Sequence, residues 1–320
     1  MPAPHALTRN LRLPVIAAPM FLVSGPTLVI AACKAGVLGT FPALNQRTSE
    51  GYEAWLDQIQ AALTPGSAAF GVNLIVHRTN PRLQTDVGLS VKHKVPLIIT
   101  SLGVEREVVA AIHSYGGFVF HDATTMKHAE NAIEAGVDGL IPVCAGAGGH
   151  GGTLSPFALV QEMRAAFPET CIALSGCITN GAHVAAALAM GADFAYMGTR
   201  FIATQESLAD ETYKRMVHEA TAADIVYTPK ISGAPANFLR QSLIQNGLDP
   251  ETMAQKKAVN VGGIHDEPKA WKTIWSAGHG VGGIADCPSV VELITRLIDE
   301  YAQALERSRA RLDALRIAAG

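Results

Sequence analysis

The chain is sparing with charge and with aromatics, and it lacks most of the features that would name a function outright. Charged residues make up 17% and aromatic residues 6% of its 320 positions. There is no Lys/Arg cluster or stripe and the formal net charge is −3, so nucleic acid is not an expected partner. No apolar run reaches the length of a bilayer span. The opening MPAPHALTRN has no apolar core of signal-peptide length. A cytoplasmic protein without membrane contact is expected. The five cysteines, Cys33, Cys144, Cys171, Cys177 and Cys287, are scattered, odd in number and without a CxxC pair. That argues against a disulfide framework and against zinc, and no metal is expected. Walker-loop and kinase signatures are missing, and GVLGTF and GVGGI do not fit a dinucleotide fingerprint in a strand–helix setting.

What the chain does have is apolar mass. It is 48% hydrophobic with a mean hydropathy of +0.20, which is the composition of a well-buried globular protein. Short apolar runs recur at 15–20, 37–43, 69–76, 96–102, 118–122, 139–144, 171–176 and 194–198. Helical patterns follow most of them; the third is followed by a polar stretch to His93. Runs this short, alternating with helices, read as buried parallel strands. Eight units in about two hundred residues fit a (β/α)₈ barrel, with a doubly wound open sheet as the rival. After Phe201 the rhythm stops. Residues 205–275 show helical stretches, including 212–222 and 249–259, and no apolar strand. The expected organisation is a barrel over 1–204, a helical insertion or lid over 205–275, and a final loop and helix over 276–320. In that last helix Val290, Leu293, Ile294, Leu297, Ile298 and Tyr301 share one side. The insertion offers a place for a homodimer contact, which the sequence does not decide.

Barrels place their chemistry at the C-terminal ends of the strands. At those ends stand Ala18–Pro19–Met20, Asn73, His121–Asp122, the glycine patch Cys144–Gly152 with His150 inside it, Ser175–Gly176–Cys177, and Met197–Gly198–Thr199. SGCITNG and MGTRF follow strands seven and eight, where barrels commonly hold a phosphate on backbone N–H groups. Tight βα turns are the plain alternative for both. His150, in a flexible loop at the barrel mouth, is placed to take a proton from carbon near neutral pH. His279, in the similar loop WSAGHGVGG, is a second candidate. Asn73 suits a heteroaromatic ring, or is simply a satisfied buried amide.

AAPM, FGVN, AGGHGG, a small SG loop followed by ADFAYMGTRF, and a late IWSAG together resemble the nitronate monooxygenase family, formerly the 2-nitropropane dioxygenases. The resemblance runs through most of the chain in the right order. FMN-dependent enoyl-ACP reductases and some NAD(P)H:quinone reductases share much of the pattern. The resemblance implies a TIM barrel with a helical insertion and one non-covalent FMN. It puts Ala18, Pro19, Met20, Asn73, Asp122, Ala147, Gly148, Gly149 and Met197 about the flavin. Ser175, Gly176, Cys177, Gly198 and Thr199 would hold the phosphate, His150 would be the active-site histidine, and Trp275 and Ser276 would lie near substrate. Two positions depart from the pattern. Asp122 stands where some relatives carry Lys, and Cys177 replaces a usual glycine, which leaves its N–H useful if φ stays negative. The implied activity is oxidation of small alkyl nitronates by O₂ to carbonyl compounds and nitrite. The alternatives are an FMN-dependent NAD(P)H reductase of a quinone or enoyl thioester, and a non-redox barrel that binds a phosphate-bearing ligand.

Overall fold

A computed structural model describes residues 4–231, 233–253 and 272–319. A short helix, α1 (His5–Thr8), precedes β1 (Val15–Ala17), α2 (Pro26–Ala35), β2 (Leu38–Pro42), α3 (Ser49–Ala62), β3 (Phe70–Ile75) and α4 (Leu83–Lys92). Next come β4 (Leu97–Ser101), α5 (Arg106–His113), β5 (Phe118–Ala123), α6 (Met126–Ala135), β6 (Gly139–Pro142), the two-residue β7 (Gly149–His150) and α7 (Pro156–Ala166). They are followed by β8 (Cys171–Ser175), α8 (Gly181–Ala189), β9 (Phe194–Met197) and α9 (Thr199–Ile202). The chain then runs through α10 (Glu211–Glu219), β10 (Ile225–Thr228), β11 (Ala236–Leu239) and α11 (Arg240–Gln245) to a long α12 (Val290–Ala319).

Eight parallel strands close in the order β1-β2-β3-β4-β5-β6-β8-β9, with β1 returning to β9 through Val15↔Ala195 and Ala17↔Met197. The open-sheet rival is thereby excluded, and every apolar run expected to be a barrel strand is one. The strands are apolar on both faces because both faces are buried. Inward residues Ile16, Leu38, Leu97, Ile99, Phe120, Ile141, Ala173 and Phe194 fill the barrel, and Leu7 of α1 closes its floor. Outward residues Val15, Phe41, Val72, Ile98, Val119, Leu140, Ile172 and Met197 meet the helices in a second, larger core.

The polar stretch before His93 is α4. Its apolar signal is diluted because Asp86 and Ser90 are themselves buried, with Asp86 taking a hydrogen bond from Ser49 (2.7 Å) and Ser90 sharing one with the Tyr52 hydroxyl (2.8 Å). Threonine and asparagine side chains cap three of the other helices: Thr48 accepts from Gly51 N, Thr125 from His128 N and Asn180 from His183 N.

α12 packs on α8 and α2, burying Val290, Leu293, Ile294 and Leu297. It crosses α8 so closely that a Cβ on Gly181 would strike the backbone at Leu297 O and Tyr301 N, while Gly181 N donates to Glu300 Oε2 at 2.8 Å. Gly181→Ala should therefore cost about 1–3 kcal/mol of stability, the usual penalty of overpacking. A denaturant midpoint equal to the parent's would show the crossing to be looser than this.

The stretch 205–275 is mixed rather than purely helical. α10 and α11 are there, but so are β10 and β11, an antiparallel pair with Ile225↔Leu239 and Thr228↔Ala236. IVYT and ANFL are too short, and their burial too uneven or too complete, to show a strand alternation in the sequence. The helix expected at 249–259 falls, beyond Met253, outside the described residues. No helix among the described residues is long and apolar enough to cross a membrane.

Candidate functional site

A cavity of about 1100 Å³ opens over the C-terminal ends of the barrel strands. Its floor includes inward residues at or near the C-terminal ends of seven strands: Ala18, Asn73, Ser101, Asp122, Val143, Ser175 and Tyr196. Five of these are polar, directly above the apolar plug of Ile99, Phe120 and Phe194. The change comes where the pleat runs out into the mouth, so the floor is a polar layer on an apolar support.

The floor is wired together. Asn73 Nδ2 donates to Ile99 O at 3.0 Å and to Ser101 Oγ at 2.7 Å. Ser101 Oγ donates to Asp122 Oδ2. Burial pushes the Asp122 carboxyl up to about 6, against the Ser101 hydrogen bond, which pulls it down. Tyr196 is raised well above the usual phenol range, by burial first and then by Asp122. His121, one residue earlier, lies on the opposite face of β5 beside Thr100 Oγ1 at 2.8 Å. Burial, and then His128, lowers it to about 4. It is a satisfied, neutral core histidine at the edge of the cavity.

The glycine patch leaves the barrel after β6 and joins the insertion. β7 pairs antiparallel with β11 through Gly149↔Asn237 and His150↔Ala236. Asn237 Nδ2 donates to Ala147 O at 2.7 Å and the Tyr227 hydroxyl to Gly151 O at 2.9 Å. The loop that reads as flexible is thus strapped to a three-stranded sheet, and His150 is fixed at the rim by backbone pairing. Its ring is open to the cavity yet hemmed in by protein, and that desolvation lowers it to about 4. It is neutral at physiological pH. Asn237 and Tyr227 are contributions that the sequence does not betray, because they come from a stretch with no strand signal.

Across the cavity three loops meet at backbone distance. Gly278 N donates to Thr199 Oγ1 at 2.9 Å, and His279 N to Gly146 O at 2.9 Å. A Cβ on Gly278 would lie 2.5 Å from Gly146 O and 3.0 Å from Gly148 N. Only a chain without side chains passes there. Phe201 N closes the first turn of α9 on Gly198 O at 2.8 Å, and the N–H groups of Thr199 and Arg200 before it have no helical carbonyl to reach, which leaves them receptive to an anion. Cys177 departs from the condition set on it: its φ is +57°, in the left-handed region, after Gly176 at +138°. A non-glycine residue there costs roughly 1–2 kcal/mol, and its N–H faces another way than a negative φ would give. Cys177 lines the cavity.

Of the residues singled out from the sequence, Ala18, Pro19, Met20, Asn73, Asp122, Ala147, Gly148, Gly149, His150, Ser175, Gly176, Cys177, Gly198, Thr199, Trp275 and Ser276 all line this cavity. Met197 does not. Phe194 and Tyr196 face inward, so alternation turns Met197 out into the helix-facing core, where it is fully buried. His279 is not in the lining either; its ring packs over Gly146 instead. Trp275 stacks on Tyr213 with centroids 5.0 Å apart and planes 5° apart, and the Tyr213 hydroxyl donates to Ser276 O. Ser276 Oγ and Asp122 Oδ1 are buried without a hydrogen-bond partner. Ser101 and Tyr196 were missed in the sequence, although alternation from Ile99 and Phe194 would have turned both inward.

Among the described residues, the lining contains no Lys, Arg or Glu. A flat polar ring with a phosphorylated tail fits this set. The floor offers unmatched hydrogen-bonding atoms, the glycine loops allow close backbone approach, and α9 offers N–H groups to a phosphate.

The family model described as nitronate monooxygenase matches residues 6–300. A nitronate monooxygenase of Paraburkholderia phytofirmans is 28% identical over 349 aligned positions, covering 92% of this chain and 94% of the relative. Among solved structures, FabK from Thermotoga maritima superposes with a TM-score of 0.81 at 24% identity, covering 97% of this chain and 99% of that one. The nitroalkane oxidase from Streptomyces ansochromogenes gives 0.80 at 24% identity, covering 94% and 99%. These two likenesses are of fold.

Proposed function

The chain belongs to the nitronate monooxygenase family, a family of FMN-dependent oxidoreductases, and from that premise we propose that it oxidises small alkyl nitronates with O₂ to carbonyl compounds and nitrite. FMN, when bound, supplies the electron-accepting and oxygen-reducing chemistry. Everything else falls to the protein. Ala18, Pro19, Met20, Ala147, Gly148 and Gly149 would flank the ring, and Asn73 would meet its polar edge. Ser175, Gly176, Gly198 and Thr199 would take the phosphate, with Cys177 contributing within its left-handed backbone.

The observation that carries this reading is His150: a neutral imidazole fixed at the rim of a cavity whose described lining holds no Lys or Arg. An N–H of that ring can hold a nitronate oxygen, and the unprotonated nitrogen of the neutral imidazole can take the α-proton of a neutral nitroalkane. Leu102, Leu154 and Trp275, also in the lining, would take the alkyl group and keep water off the reacting carbon. A cytoplasmic place of work belongs to this reading, and five free cysteines are consistent with it.

The test is anaerobic mixing of the FMN-loaded protein with propyl nitronate in one run and with NADH or NADPH in another. Loss of oxidised-flavin absorbance with nitronate, and none with the nicotinamides, is expected. Fast bleaching by a nicotinamide with nitronate inert would make the protein a reductase of a quinone or enoyl thioester. Failure to bind FMN at all would leave a barrel for some other phosphate-bearing ligand.

A further inference from the structure

We propose that Asp122 is the proton-holding group of the cavity: its carboxylate takes up a proton from solvent when negative charge builds on the ring beside it, and returns the proton when that charge leaves. The inference rests on the flavin reading above.

The argument starts from a carbonyl. Ile99 O only accepts, so the Asn73 atom 3.0 Å away is the amide nitrogen, and the orientation of that amide is settled. Its second hydrogen points at Ser101 Oγ, 2.7 Å away. Ser101 has one hydrogen of its own, and Asp122 Oδ2 receives it. A proton placed on Oδ2 would break this order and strand the serine hydrogen. A proton placed on Oδ1 leaves the chain intact. Oδ1 is the buried oxygen without a partner, and Asp122 lines the cavity. The hydrogen-bond chain therefore selects which oxygen carries the proton.

Among the described residues of the lining, no other group combines an unpartnered buried oxygen with a hydrogen-bond chain that fixes where the proton goes. Facing Asp122, Asn73 on β3 and Ser101 on β4 do not titrate in the working range. Tyr196 on β9 is held as a neutral phenol. His121 points to the other face of β5 and is held neutral, as is His150 at the rim. His128 on α6 sits further out beside Thr124, 3.0 Å from its hydroxyl, and the Cys177 thiol is raised by burial. No Lys, Arg or Glu lines the cavity among the described residues. Negative charge arriving here meets no Lys or Arg of the described lining. The carboxyl, whose affinity for a proton burial already raises, is the group that such a charge would protonate. The step forms one O–H bond with a solvent proton. In the test the two electrons come from the electrode, and in turnover the substrate would be their source.

The experiment is a spectroelectrochemical titration of the FMN-loaded protein across neutral pH. With Asp122 coupled, two protons accompany two electrons, so the reduction equilibrium changes about a hundredfold per pH unit. In Asp122→Asn, which keeps the shape but cannot titrate, it should change about tenfold. Ser101→Ala removes the hydrogen bond that favours the charged form, so the hundredfold region should move to higher pH. Equal pH dependence in the parent and Asp122→Asn, with FMN bound to both, would overturn the proposal while leaving the flavin reading standing. Should Asp122→Asn lose FMN, the Ser101→Ala shift decides, and no shift there overturns it. A parent protein that binds no FMN sinks the flavin reading itself.

Discussion

His150→Asn protein retains FMN and turns over a neutral nitroalkane about 10²–10⁴-fold more slowly than the parent, the usual loss when a positioned base is removed. With preformed nitronate the loss is smaller. There the α-proton is already gone, and what disappears is one hydrogen bond to an anion, worth about 1.5–3 kcal/mol, or roughly 10–100-fold. The difference between the two substrates separates base from anchor. Flavin affinity is preserved because His150 is held at the rim by the backbone of β7, which asparagine keeps. The pH profile provides a second check. Desolvation lowers the ring from 6.5 to about 4, so the neutral, proton-accepting form persists as pH falls through 6.5. The acid limb for nitroalkane should lie near 4 and should vanish in the variant. Steady-state rates for both substrates across that range measure this. Equal losses with the two substrates would remove the base role, and an unchanged rate would remove His150 from the mechanism.

Gly278→Ala should weaken flavin binding. The added methyl would sit 2.5 Å from Gly146 O and 3.0 Å from Gly148 N, and both are backbone atoms that cannot swing aside. The loops must part, which breaks the 2.9 Å hydrogen bond from Gly278 N to Thr199 Oγ1 and displaces the opening of α9. Overpacking of this kind costs about 1–3 kcal/mol. The strain falls within the proposed phosphate site, so it should appear as roughly 10–100-fold weaker FMN binding. Fluorescence titration of apoprotein with FMN reads the affinity, and far-UV circular dichroism shows that the barrel persists. Parent-like affinity would mean that the phosphate is held elsewhere.

The barrel was legible because its signal is redundant. Eight apolar runs bounded by turns leave little freedom once the connections are short and helical. Part of the lining was legible for a related reason: strand ends in a closed barrel converge, so residues as distant as Ala18 and Thr199 are brought to one mouth by topology alone. Met197 was misplaced because a motif was followed where the two-residue alternation of Phe194 and Tyr196 already pointed it outward. The sheet joining β7, β10 and β11 was invisible for a physical reason. Strands of two and four residues carry almost no periodicity, and what specifies them is pairing across more than eighty residues of sequence, as between His150 and Ala236. The left-handed backbone at Cys177 was equally hidden, since a cysteine announces no such conformation.

That small sheet also limits how the enzyme can be rebuilt. The strand that aligns the rim histidine belongs to the loop after β6, while the strand it leans on belongs to a segment some eighty residues later. A chimera that imports the later segment from a relative imports the alignment of His150 with it, and one that redesigns the glycine loop alone must still match the old template at Ala236 and Asn237. For directed evolution the two segments are a single inheritable unit, to be exchanged together or left in place.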